Sequence, residues 1–287
     1  MRVLLAPSIP ADLAREWRAS CSNWFGVARR PVPGAETHER LALIDTPVGT
    51  AVAKLERSES SWKRSLHRLG PREPRSLRAF RLGTELRARD LATPEPLAAW
   101  ASRGGAVLVT RFVAGESPWE FLRAERSRRS ASSIPIPHPP RGGTEGARAG
   151  FAPEVELLAA LLCGALAKLH AAGYRHRDLK APNLLLTPEA DGPRVCWLDL
   201  DGLARAAPVG ERTRLRDLAR IAASLDSRAA HAAGIRQGAW PCFVRAYLVT
   251  CLGSDPPRDE LERAVAATRR WARRHVERNL ARGRPVT

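Results

Sequence analysis

Residues 174–186 read YRHRDLKAPNLLL. Asp178, Lys180 and Asn183 bring a carboxylate, an ammonium and an amide into one short stretch, and an apolar run follows at once. A carboxylate in a loop just after a buried helix can accept the proton of an attacking hydroxyl. The Lys180 ammonium can neutralise a phosphoryl group in transfer, and the Asn183 amide offers an oxygen to a divalent cation. Downstream, CWLDLDG sets Asp199 directly after an apolar strand, where a hard metal finds a carboxylate ligand. Phosphoryl transfer needs these groups, because it is mostly positioning and charge neutralisation. Upstream, Lys54 lies on the alternating stretch GTAVAKLE. It is one of four Lys in a chain that carries 47 Lys and Arg together, so its placement is informative.

The elements that must hold these groups are legible as well. RLALID (40–45) and GTAVAKLE (49–56) read as two strands joined by TPV. A helical pattern covers 76–89, with Leu77, Phe80, Leu82 and Leu86 at helical spacing, and ATPEP stops it. AVLVTRFV (106–113) reads as a buried strand. Residues 127–150 hold Ser, Pro, Gly and Arg with almost no large apolar group, the composition of a flexible insertion. A strong helix begins at Pro153, with Glu154 and Glu156 in its first turn, and Gly173 ends it. NLLL and RVCWLDLDG form a hairpin-like pair around TPEADGP, and the chain from about 213 onward reads helical and Arg-rich. The fold class is α+β, strand-rich in its N-terminal third and helical in its C-terminal half. Residues 1–35 give no clear element.

Bulk composition narrows the function classes. The net charge of +17 reads either as an Arg- and Ala-rich coding bias or as a face that attracts anions. No nucleic-acid module is recognisable, and the eight Trp are scattered, so no nucleic-acid partner is expected. Five widely spaced Cys without a C-x-x-C argue against a disulfide framework or a zinc site and fit a reducing compartment. The N-terminus MRVLLAPSIP is not a signal peptide, and the longest apolar run, LLAALLCGALA, is far below the ~20 residues of a membrane span.

His176 to Asn183 matches the H-R-D-L-x-x-x-N catalytic loop at every fixed position. With AVAKLE, RSLRAFRLGTELRARDLATPEPLA, VLVTRFVAG, LHAAGYRHRDLKAPNLLL, CWLDLDGLAR and RLRDLARIAASL, the chain resembles the protein-kinase-like superfamily. Within it, the chain resembles the lipopolysaccharide-core kinase (Kdo/WaaP) family. The resemblance implies a two-lobed protein-kinase-like fold: a small strand-rich N-lobe at 36–113, a hinge and insertion at 114–152, and a helical C-lobe at 153–287. It implies ATP and Mg2+ as cofactors and a sugar hydroxyl of lipid A–core oligosaccharide, or a related glycolipid, as acceptor. It also implies a cytoplasmic location at the inner face of the inner membrane, with peripheral contact to its anionic surface. The roles it implies are Asp178 as base with Lys180 beside it, Asn183 and Asp199 as metal ligands, and Lys54 on the α/β-phosphates. The backbone of Thr110 to Val113, Phe112 included, would meet adenine edge-on. Glu116 would bond the ribose or cap a helix.

Three departures stand out. No G-x-G-x-x-G occurs, so the DTPVGT hairpin or NWFGVARR (23–30) must cover the phosphates. Ala79 holds the place of the helix Glu that should pair with Lys54, leaving Glu73 or Glu85. DLDG replaces D-F-G, with Asp201 a second ligand or a loop cap. His176 reads as structural, Arg177 as a partner for a carboxylate or phosphate. Asp217 reads as a loop anchor or as a helical partner of Arg214 or Arg220. Lys180 alone suggests a Ser/Thr-type protein kinase, and the missing glycine loop suggests a pseudokinase scaffold. The short stretch from Asp199 to Asp217, without A-P-E, favours a glycolipid acceptor instead.

Overall fold

The structure is a computed structural model that describes residues 2–20, 41–57, 73–102, 105–131, 151–225, 227–235 and 239–282. It divides into two compact units: Met1–Ala114 with Trp197–Asp201, and Gly115–Cys196 with Gly202–Thr287.

The first unit is built on an antiparallel sheet. Its strands are β1 (Arg2–Leu5), β2 (Leu41–Thr46), β3 (Gly49–Arg57), β4 (Pro96–Ser102) and β5 (Gly105–Arg111), in the order β1-β4-β5-β3-β2. Helix α1 (Ala11–Ser20) follows β1, and α2 (Arg75–Arg87) lies against β4 and β5. The helical spacing read from the sequence holds: Leu77, Phe80, Leu82 and Leu86 are all buried on α2. Leu77 and Phe80 share one core with Ala51, Ala53, Leu97, Ala98, Ala99, Trp100, Val107 and Val109 from the strands. Strand β4 was not foreseen. Two prolines and three alanines in PEPLAAWA carry little strand propensity. Pro96 occupies the first position of the strand, where a missing donor is tolerated, and tight packing selects the alanines.

The second unit is helical. Its elements are α3 (Pro118–Ala131), α4 (Pro153–Ala171), β6 (Tyr174–His176), β7 (Leu184–Thr187), β8 (Arg194–Trp197), β9 (Leu203–Arg205), α5 (Glu211–Leu225), α6 (Arg228–Ala232), α7 (Trp240–Leu252) and α8 (Arg258–Leu280). The insertion expected from 127 therefore starts later: residues 127–131 complete α3, whose Phe121 and Leu122 are buried, and 132–150 lie outside the described residues. Arg126 of α3 donates to Glu154 at 2.8 Å and to the carbonyls of Ala233 and Gly234 at 3.0 and 2.9 Å. Helix α4 is the central support, with Leu158, Leu162, Leu166 and Leu169 almost inaccessible. It packs on α7, while α5 packs on α8. Gly173, at φ +83°, takes the left-handed conformation that ends α4 and turns the chain directly into β6. Strands β7 and β8 form the expected hairpin, and β6 pairs with β9.

Truncating Leu162, 1% exposed, to Ala removes a side chain from the middle of this support. We expect a loss of about 2–5 kcal/mol for the helical unit. Chemical denaturation checks it, as a lower midpoint with an unchanged slope.

Candidate active site

In the first unit the site is centred on Lys54. Its Nζ donates to Asp199 Oδ1 and to Asp201 Oδ2, both at 2.9 Å. Partial burial disfavours the ammonium, but the two carboxylates outweigh it and hold the Lys54 pKa above its ordinary value. The cation therefore persists at neutral pH.

The segment carrying the carboxylates is fastened on several sides. Trp197 N–H donates to the Ala92 carbonyl at 2.9 Å, and Thr93 Oγ1 donates to the Trp197 carbonyl at 2.7 Å. Arg78 of α2 donates to the Asp201 carbonyl at 2.7 Å, and Asp201 N–H donates to Asp199 Oδ1 at 3.2 Å. Gly83 lets α2 approach: a Cβ there would stand 3.1 Å from Pro96 Cγ and 3.3 Å from Leu200 Cδ1. Asp201 thus shares Lys54 with Asp199 and is more than a loop cap.

The search for a helix Glu ends differently from either sequence candidate. Glu73 pairs with Arg81. The partners of Lys54 come from the downstream acidic pair, and Glu85 is not among them. Glu56 instead caps the start of α2, accepting from Ser76 N–H and Oγ at 3.3 and 3.1 Å.

The DTPVGT hairpin also proves to be the wrong cover for phosphates. Lys54 pairs with Leu41, the first residue of β2, while the turn lies beyond Thr46 at the other end. Five residues of strand separate Lys54 from Gly49, about 16 Å at 3.3 Å per residue. Arg111 closes that turn, donating to the Val48 carbonyl at 2.6 Å and to Glu95 at 2.8 Å. NWFGVARR lies outside the described residues.

Of the adenine-edge residues, Thr110 pairs with Pro96 and Val52 inside the sheet. Arg111 and Phe112 spend their N–H groups on Glu95 O at 2.8 Å and Thr50 O at 3.0 Å. Val113, half-buried, follows directly after them.

The second unit carries the other predicted groups. Glu116 bridges to Leu186 through both main-chain groups, at 3.0 and 2.8 Å, and leaves its side chain exposed. The catalytic loop is pinned from beneath by Asp217, which is 1% exposed. Its Oδ2 accepts from His176 N–H at 2.8 Å and lies 3.3 Å from His170 Nε2, while Oδ1 takes Arg220. Both sequence readings of Asp217 hold, as loop anchor and as partner of Arg220. His170 Nδ1 meets Tyr247 Oη at 2.7 Å, and burial raises the Tyr247 pKa, keeping the phenol neutral.

Further along the loop, Arg177 N–H donates to the Gly202 carbonyl at 2.8 Å and Ala181 N–H to Ser224 Oγ at 3.2 Å. Gly202 has to be glycine: a Cβ would stand 2.9 Å from both Asp178 N and His176 Cε1. Asn183 Nδ2 donates to the Asp178 carbonyl at 2.9 Å, which leaves its Oδ1 as the donor atom for a cation. Asp178 itself stays 60% exposed, with Lys180 Nζ 3.9 Å from its Oδ2. The arrangement fixes the backbone and presents the carboxylate.

Sequence reasoning missed His170, Tyr247, Ser224, Arg78 and Thr93. Only His170 had a local signal, standing at the end of a buried helix just before the loop.

Residues 157–247 match the model of the Lipopolysaccharide kinase (Kdo/WaaP) family. That segment includes His170, Asp178, Lys180, Asn183, Asp199, Asp217 and Tyr247. Among solved structures, WaaP in complex with acyl carrier protein is similar over 97% of this chain and 99% of that one, with a TM-score of 0.57 at 22% identity. This likeness shows the protein-kinase-like fold. More distant are the Mycobacterium tuberculosis PknI kinase domain and a type VIII aminoglycoside-3'-phosphotransferase. PknI is 17% identical with a TM-score of 0.41 over 85% of this chain and 96% of that one. The phosphotransferase is 15% identical with a TM-score of 0.48 over 90% and 100%. No curated protein matches the chain. The family-model match over residues 157–247, together with the protein-kinase-like fold, supports a kinase.

Replacing Asp217 with Ala strands the Arg220 charge and the His176 N–H in a buried setting. We expect about 3–5 kcal/mol of destabilisation, read by chemical denaturation. A loss below about 1 kcal/mol, the range of a surface pair, would remove Asp217 as the anchor.

Proposed function

We propose that this kinase transfers the γ-phosphoryl group of ATP to a sugar hydroxyl of lipopolysaccharide core or a related glycolipid, with Mg2+ as cofactor. The observation that carries the reading is Asp178: its backbone is tied down on several sides, yet its carboxylate is open to an acceptor. In this reading Asp178 takes the proton of the acceptor hydroxyl as that oxygen bonds to the γ-phosphorus and the bond to the β-phosphate oxygen breaks, releasing ADP. Lys180 lies close enough to offset the charge of the phosphoryl group in transit. Lys54 binds the α/β-phosphates, Val113 reads the adenine edge, and Glu116 reaches the ribose.

The donor set suits magnesium. Mg2+ is bound by one or two carboxylates together with substrate phosphates, and not by an all-protein cage. Asp199 and Asp201 of the first unit supply such a carboxylate pair, and Asn183 of the second unit carries an amide oxygen of the same hard-donor kind. Among the described residues no group of three or more His, Cys, Asp and Glu could form a cage. Bound there, the ion would neutralise phosphate charge. Asp199 and Asp201 would then share their negative charge between the ion and Lys54.

The glycolipid acceptor is supported by the family match and by the basic surface, which suits a substrate displayed on an anionic membrane. No helix among the described residues is long and apolar enough to cross a membrane, and we place the enzyme peripherally at the cytoplasmic face of the inner membrane.

Labelled ATP incubated with lipid A–core fragments, free sugars and peptides tests the proposal, with wild type run beside Asp178→Ala. We expect label on the glycolipid fragments and a loss of about 10²–10⁴-fold in the variant. Label on peptides alone would make this a protein kinase. Equal, negligible rates in both proteins would leave a scaffold without turnover.

A further inference from the structure

Next to the catalytic loop the second unit gathers positive charge that nothing assigned so far uses. Arg175 sits on β6, three residues before Asp178, and its buried Nε finds no hydrogen-bond partner. Arg220 of α5 reaches the His176 carbonyl at 3.4 Å and pairs with Asp217, yet its own buried Nε is likewise without a partner. Arg216 lies one turn earlier on α5, with its guanidinium 4.1 Å from the centre of the Trp271 ring of α8. Arg212 and Arg274 flank the same ring at 5.4 and 5.5 Å. Arg278, exposed on α8, spends its Nε on the Arg274 carbonyl at 3.0 Å.

These cations sense one another. Partial burial, and then repulsion from Arg212, Arg220, Arg278 and Arg175, lowers the Arg216 pKa. Burial, Arg220 and Arg278 lower that of His275, against the opposing pull of Asp178. The second effect places the cluster within electrostatic reach of the proposed base. Among the described residues no ion pair satisfies Arg175, Arg212 or Arg216, and of the arginines Asp217 pairs with Arg220. A protein gains nothing in stability from unmatched guanidiniums held this close, whereas an anion with several acceptor oxygens would satisfy both orphaned Nε–H groups and relieve the repulsion.

We propose that Arg175, Arg216, Arg220 and Arg278 form an anion subsite beside Asp178, which takes a phosphate or carboxylate carried by the acceptor itself. The inference rests on the reading of Asp178 as the base. It narrows the substrate class: a neutral sugar would satisfy the base but leave the cluster unmatched, whereas an acceptor with an anionic substituent near the reacting hydroxyl would be oriented at both points. Trp271 acts as the platform that keeps the α5 and α8 guanidiniums in place.

The test is a calorimetric titration of inorganic phosphate, and separately of acetate, into the full chain at low ionic strength. Wild type is compared with Arg216→Gln, Arg278→Gln and, as control, Arg258→Gln, an exposed residue of α8 paired with Glu262. We expect saturable phosphate binding, weakened about tenfold or more in Arg216→Gln and Arg278→Gln and unchanged in Arg258→Gln. Tighter acetate than phosphate would assign the subsite to a carboxylate. Arg278 is exposed, so that variant decides the matter even if Arg216→Gln folds poorly. With an active acceptor, the Arg variants should raise the acceptor KM and leave the KM for ATP unchanged. Absence of saturable binding, wild-type binding in both Arg variants, or an equal loss in Arg258→Gln would overturn the proposal. The titration needs no turnover, so an inactive protein that still binds phosphate through these arginines would sink the kinase reading and leave the subsite standing.

Discussion

Lys54 draws two carboxylates from 145 and 147 residues downstream onto the N-terminal sheet. Much of the first unit follows from that attraction. One cation between two anions holds its charge against desolvation, and the raised Lys54 pKa is the sign of it. The attraction alone would be weak, because all three side chains remain partly exposed. What makes the arrangement specific is the fastening around it: Thr93 on the Trp197 carbonyl, Arg78 on the Asp201 carbonyl, and a glycine on α2 where any side chain would meet Leu200. The segment Trp197–Asp201 is thus counted with the sheet and not with the helices that precede and follow it in the chain.

The helical unit solves a different problem by the opposite means. Its catalytic loop must offer an exposed carboxylate on a backbone that does not move. Here the charge that does the fixing is buried. Asp217 is satisfied by a main-chain N–H, a guanidinium and an imidazole, and the imidazole is held in turn by a phenol whose proton burial retains. A buried carboxylate with that many partners is stable where it is and costly to disturb. The two acidic residues are thus set apart, Asp217 inside holding the backbone and Asp178 outside with its carboxylate exposed.

Much of this was legible in the sequence, for physical reasons that differ by element. Strands β2, β3 and β5 and helix α2 announced themselves through periodicity, because each buries one face. The catalytic loop was legible because its chemistry fixes residue types at fixed spacing. Strand β4 was hidden, since its alanines were chosen for volume and not for propensity. The partners of Lys54 differ from the sequence expectation: in place of an upstream helix Glu, the structure supplies Asp199 and Asp201. The turn at Pro47 and Val48 looked like a phosphate cover until the register put it about 16 Å from Lys54. His170 and Tyr247 lie 77 residues apart, and no local pattern signals such a contact.

In the proposed reading Asp199 becomes a magnesium ligand when nucleotide engages Lys54. Calorimetric titration of ATP into wild type and Asp199→Asn, each with Mg2+ and with EDTA, measures it directly. We expect Mg2+ to tighten ATP binding to wild type by about tenfold or more and to give little gain in the variant. Equal affinity with Mg2+ and EDTA in wild type, or a full magnesium gain in Asp199→Asn, would contradict it.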